Sequence, residues 1–116
     1  MKETTKEKLD VLNRVGKLDK ESFSFITEVD KYLESNYNST DNEMLLIHLS
    51  VAINRMNDKE VVDKLPDDVW EQIVAKDEYQ EATLIWKHLS PMAPVEFSID
   101  ETQYILLHIL NILRRD

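Results

Sequence analysis

The chain has 116 residues, 42% of them hydrophobic, which suits one domain with a single core and leaves no room for a second catalytic or nucleic-acid-binding domain. Acidic residues outnumber basic ones by 23 to 14, the formal net charge is −9, and no lysine or arginine run stands clear of acidic neighbours, so direct nucleic-acid binding is not expected. With no cysteine, a disulfide framework, a thiol nucleophile and a thiolate metal site are all excluded.

The opening "MKETTKEKLD" has no apolar stretch like a signal peptide, and the longest apolar-rich runs reach only about ten residues and are broken by His or Asn. The expectation is a cytoplasmic protein that neither spans nor targets a membrane. One glycine and three prolines punctuate the chain, and strand-like alternation between turn residues is hard to find. The predicted class is all-α, a compact bundle of about five helices, with a possible extra short helix at the N-terminus.

In chain order, "KEKLDVLNRVGKL" carries Leu9, Leu12 and Val15 in an otherwise polar stretch and has Gly16 as its stop, so residues 1–20 read as an N-terminal extension with a short docked helix. Residues 21–116 form the main helical domain. From Ser22 to about Asn36, Phe25, Ile26, Val29, Tyr32 and Leu33 recur at helical spacing before "NYNSTDN" breaks the pattern. Thr40 and Glu43 have capping-box spacing, which predicts a helix from there to about Met56. Pro66 suits a first helical turn, and "DDVWEQIV" follows with acidic residues at the positive helix end. "EYQEATLIWKHL" groups Tyr79, Ala82, Ile85, Trp86 and Leu89 on one side and is stopped by "SPMAP". Ser98 and Glu101 repeat the capping-box spacing before a last helix that ends near "RRD".

Two of these helices carry a histidine inside an apolar run: His48 in "LLIHLSVAINRM" and His108 in "YILLHILNIL". Residues seven apart lie nearly above one another on a helix, so Asp41, His48 and Arg55 are expected on one stripe, and Glu101, His108 and Arg115 on another. The plain reading is that both rings are structural, hydrogen-bonded at the rim of the core, with Glu101 only a cap. Two rings in matching polar company weaken that reading. His88, in "IWKHLSP", lies near a helix end and reads as structural, and Trp70 and Trp86 as core and groove residues.

Over residues 22–116 the chain resembles the phosphotransferase-system regulation domain, the PRD. "LLIHLSVAINRM" is similar to its first signature, in which a histidine precedes Ala-Ile and an arginine, and "EYQEATLIWKHL" followed by "FSIDETQYILLHIL" is similar to its second half. The resemblance implies a five-helix, usually dimeric domain whose two histidines accept phosphoryl groups from the phosphocarrier HPr or a sugar-specific enzyme IIB. By position, His48 and His108 would be those acceptors. A neutral imidazole nitrogen is a nucleophile near physiological pH, and phosphoryl transfer asks mainly for alignment and positive charge. Arg55 is then the candidate for steadying phosphate charge, and Asp41 or Glu101 for orienting a ring. Many members have an aspartate before the first histidine, where this chain has Ile47. The RNA-binding, helix-turn-helix and ATPase segments of PRD-containing antiterminators and activators are not recognised. The implied protein is a free-standing, non-enzymatic sensor that acts on a downstream transcription regulator or another partner, without cofactor or small-molecule substrate.

Two rivals come from other classes. A metal enzyme lacks support, since neither His-Glu-x-x-His nor Glu-x-x-His occurs: the residues three before the histidines are Leu45, Ile85 and Ile105. A helical interaction module that is never phosphorylated, its PRD-like residues serving only for packing, is the alternative. It differs from the first reading in taking up no phosphate.

Overall fold

A computed structural model of the protein describes residues 1–115. Among them there are six α-helices and no strand: α1 (Glu3–Arg14), α2 (Lys20–Tyr37), α3 (Glu43–Asn57), α4 (Asp67–Val74), α5 (Tyr79–Leu89) and α6 (Ile99–Arg114), with a single 3-10 turn over Ser90–Met92 after α5. The all-helical expectation holds, and the short first helix is present. Its stop is the expected one, because Gly16 adopts φ +78°, a left-handed conformation that glycine enters without a Cβ penalty. Asn38 ends α2 in the same way with φ 54°, which explains why "NYNSTDN" breaks the helical pattern.

The start of α3 differs from its prediction. The Thr40–Glu43 capping box does not form; Asn42 occupies the cap position, and its side chain turns inward to donate to Asp30 Oδ1 at 3.0 Å and to the Ser39 carbonyl at 3.0 Å. Both Asn42 and Asp30 are buried, so the inward hydrogen bonds satisfy groups that would otherwise be stranded. Glu43 is released from the box and binds α1 instead. Pro66 stands at the cap of α4, one residue before the first turn, with Asp67 and Asp68 following it. At the start of α6 half of the predicted box is present: Ser98 Oγ accepts from the Glu101 N–H at 3.2 Å, while the Glu101 carboxylate points into the protein.

One core runs through the bundle. Leu9 and Leu18 from the N-terminal segment, Phe25, Ile26, Val29 and Leu33 of α2, Leu45, Leu46, Leu49 and Ile53 of α3, Ala82, Ile85, Trp86 and Leu89 of α5 and Ile105 and Ile109 of α6 belong to a single buried cluster. Trp86 meets Phe25 edge-on at 6.4 Å, so it is a core residue as expected. A satellite of Leu65, Ile73 and Leu110 seats α4 against α6 with Trp70 and Tyr79 at its margin. Helix α6 thus packs on α3, α4 and α5, and this position brings its polar residues to α3.

Leu9 is fully buried in the same cluster as Leu33 and Leu49. Helix α1 is therefore part of the cooperative unit. Leu9→Ala is expected to cost about 2–5 kcal/mol and to leave one urea transition, measured by circular dichroism and tryptophan fluorescence together. Separate transitions by the two probes, or an unchanged midpoint, would show α1 to be an independent appendage.

Candidate functional site: a histidine pair above a buried ion pair

The two singled-out histidines meet. His48, in the middle of α3, and His108, in the second half of α6, have ring centroids 4.7 Å apart and planes inclined at 41°. The apolar neighbours that make each run look like core (Leu45, Leu49, Ile105, Ile109) are buried on the inner faces of α3 and α6, and this crossing holds the intervening polar positions together at the rim. Tyr104, one turn before His108, lies 6.0 Å from the His48 ring. Its hydroxyl donates to the Asp63 carbonyl at 2.7 Å, tying the α3–α4 connection to this side of the site.

Beneath the rings lies an ion pair. Arg55 Nε donates to Glu101 Oε2 at 2.7 Å and the Arg55 terminal Nη2 donates to Oε1 at 3.0 Å, a bidentate geometry. Glu101 is 1% exposed, and its Oε1 is also 3.8 Å from His48 Nε2. That nitrogen is buried and has no hydrogen-bond partner. The carboxylate that the position before His48 lacks, occupied by Ile47, is thus supplied from the other helix.

The electrostatics favour neutral rings. Burial pushes the His48 pKa down to about 4, with His108 and Arg55 adding to the effect and Glu101 opposing it. Burial also lowers His108 below the ordinary histidine value. At neutral pH both imidazoles carry a nitrogen lone pair, the form a nucleophile needs. The Glu101 carboxylate raises the Arg55 pKa further, so that charge is permanent.

His48 opens onto two grooves, one of them shared with His108. One, of about 390 Å³, is lined by Lys8, Glu43, Met44, Ile47, His48, Val51 and His108. The other, of about 410 Å³, is bounded by His48, Arg55, Val61, Val62, Asp63 and Tyr104. Met44 and Val61 are 73% and 89% exposed, so apolar surface flanks the rings on both sides.

Of the residues singled out in the sequence, His48, His108, Arg55 and Glu101 come together. Asp41 does not join them. It precedes α3 instead of sharing its stripe, and its carboxylate takes Lys2 Nζ at 3.1 Å and the Glu43 N–H at 3.3 Å. Lys2, first, and that N–H hold its pKa below the usual carboxylate range. Its carbonyl accepts from Arg115, and both residues line a smaller cavity of about 200 Å³ that His108 also reaches. His88 is exposed and stacked on Tyr32 of α2 at 4.6 Å. Sequence reasoning missed Lys8 and Glu43 as neighbours of the rings, because their contact joins helices 35 positions apart. No local pattern signals it.

An all-helical bundle with two histidines paired at the rim of its core is what this fold and its site define. The chain belongs to the PRD domain family, whose model matches residues 23–112. A curated relative from Bacillus subtilis (strain 168), described as a "Probable licABCH operon regulator", is 37% identical over 70 residues, covering 60% of this chain. Those residues are 11% of that protein, so the chain matches only a small part of its relative's length. No solved structure matches. No helix among the described residues is long and apolar enough to cross a membrane.

Acidification tests the buried ring. Because His48 is less basic when folded, the unfolded chain binds more protons in the window from the ordinary value of 6.5 down to about 4. Its contribution is therefore complete above that window and is lost as pH falls through it. In urea titrations, wild type is expected to lose about 2–3 kcal/mol more than His48→Gln between pH 7.5 and 4.5. Parallel pH profiles would show that the ring ionises freely.

Removal of Arg55 tests the ion pair. Arg55→Ala leaves the Glu101 carboxylate buried without its partner, a loss expected to reach about 3–5 kcal/mol. Adding Glu101→Gln should recover a large part of it. A double mutant no more stable than Arg55→Ala would show that the two side chains are not energetically coupled.

Proposed function

We propose that this domain is a phosphorylatable regulatory module of the phosphoenolpyruvate:sugar phosphotransferase system, with His48 and His108 as the phosphoryl acceptors and a change in self-association as its output. The observation that carries the reading is the pair of touching, neutral imidazoles over the Arg55–Glu101 ion pair at an apolar rim. Membership of the PRD family supports it, and so does a relative described as an operon regulator. The donors are HPr or an enzyme IIB, and the downstream partner is a transcription regulator.

In the transfer, the lone pair of one ring nitrogen attacks phosphorus, the donor's phosphorylated side chain departs with the electron pair of its bond to phosphorus, and the accepting ring's N–H proton is free to leave. Glu101 is placed to accept a hydrogen bond from His48 when the ring carries a proton on Nε2, which orients the ring during attack. Arg55 limits the negative charge that Glu101 presents to an arriving phosphate. Asp41, tied to Lys2, acts on the His108 side through the Arg115 contact and not as a partner of His48. The PRD-like domain comprises residues 21–116, and residues 1–20 are an extension whose helix docks into the same core.

The pair should behave as one site per chain. A phosphate carries about −1.5 to −2 charges, and two of them about 8 Å apart repel by roughly 5–8 kcal/mol at an effective dielectric near ~20 before salt and cations screen them. The same charge beside a symmetry-related copy shifts a homodimer that forms through the Met44–Val51 face.

Incubation with phosphoenolpyruvate, enzyme I and HPr, or with an enzyme IIB, tests the proposal. Intact mass spectrometry is expected to show one phosphate per chain at saturation, and alkaline peptide mapping to place it on His48 or His108. Sedimentation should give different dimer dissociation constants with and without phosphate, the difference vanishing in the His48→Ala, His108→Ala double variant. Label confined to His88 would overturn the assignment. No label from either donor would favour the unphosphorylated interaction module.

A further inference from the structure

Helix α1 lies outside the residues matched by the PRD domain model, yet it forms one wall of the histidine groove. Lys8 Nζ donates to Glu43 Oε2 at 2.7 Å, and Thr5 Oγ1 donates to Oε1 at 2.9 Å, so α1 occupies both oxygens of the carboxylate that lies at the groove's edge. Leu9 anchors the helix in the core, and Lys2 holds its first turn to Asp41. Lys8 therefore sits on a docked scaffold and does not sweep freely over the surface.

The charges around the rings are unevenly committed. Arg55 is bound bidentately to the buried Glu101, and Arg115 is engaged by the Asp41 carbonyl. Glu101 is buried, so replacing Arg55 leaves a carboxylate stranded, and Arg115 does not line the groove that both rings share. Lys8 is the cation of the groove that both rings share, among the described residues, and its side chain is 58% exposed. Exposed lysine–carboxylate pairs contribute little to stability, so Lys8 exchanges its partner at small cost. Phosphate on a ring is a stronger competitor, with about −1.5 to −2 charges.

We propose that Lys8 is the phosphate-positioning residue of this protein: it leaves Glu43 and pairs with the phosphoryl group on His48 or His108. The proposal rests on the acceptor reading of these rings. Its consequence is that α1 senses modification directly, since the Lys8–Glu43 tie between α1 and α3 is traded for a tie between α1 and the modified ring. Glu43, left with Thr5 alone, opposes the modified state by repulsion.

Potassium phosphoramidate tests this without any protein donor, which separates positioning from docking. Its phosphorus–nitrogen bond breaks as a ring nitrogen bonds to phosphorus, ammonia leaves, and the ring proton passes to solvent. In Lys8→Ala, labelling of the pair is expected to slow by about tenfold, and the phosphorus-31 titration of the phosphohistidine to move to higher pH. Lys8→Arg should restore both. Glu43→Gln should act in the opposite direction, labelling faster than wild type because Lys8 is freed. A role for Lys8 confined to docking α1 would move Lys8→Ala and Glu43→Gln the same way. That outcome, or labelling and titration unchanged in Lys8→Ala, overturns the proposal. Wild type that takes no label from phosphoramidate or from protein donors removes the acceptor reading and this inference together.

Discussion

The site depends on one interaction, the bidentate pair of Arg55 and Glu101 that joins α3 to α6. Taking two charges out of water is costly, and the attraction between them repays that cost only with good geometry and full hydrogen bonding. Both conditions are met here. The Glu101 backbone N–H is held by Ser98, its two carboxylate oxygens are held by Arg55, and Arg55 keeps partial contact with solvent. A pair of leucines would fill the space, but without the directional hydrogen bonds that the ion pair adds to the apolar packing of α3 on α6. The ion pair and that packing together hold the crossing at which His48 meets His108.

Much of the bundle was readable because its helices are amphipathic and their ends carry recognisable residues. Gly16, Asn38 and Ser98 mark termini through backbone conformation or a local hydrogen bond, and such effects act over a few positions of sequence. The error at Thr40 has the opposite origin. Capping-box spacing there was a sound local preference, but Asn42 meets Asp30 from α2, and a buried interhelical hydrogen bond outweighs a solvent-facing cap. The displacement of two residues removed Asp41 from the stripe assigned to it.

The histidines show the same division. Each was conspicuous in its own helix, because an ionisable ring among leucines and isoleucines requires a compensating environment. What the environment consists of was not local. Contact between the rings depends on how α3 crosses α6, and Glu101 joins Arg55 across 46 positions of chain. Glu101 read as a cap is half correct, since its N–H does that work while its carboxylate serves the site. Ile47 removed the expected neighbouring carboxylate, and the fold supplies another from a distance.

The connection between α3 and α4, residues 58–66, divides the chain into two halves of nearly equal size. His48 and Arg55 belong to the first half; Glu101 and His108 belong to the second. Neither half contains the site. A nascent chain that has released only α1 to α3 holds His48 and Arg55 without His108 or Glu101, so neither the ring pair nor the ion pair exists in it. The ring pair arises only when α6 closes on α3. The arrangement therefore makes the paired-ring geometry a property of the completed bundle and of neither half alone.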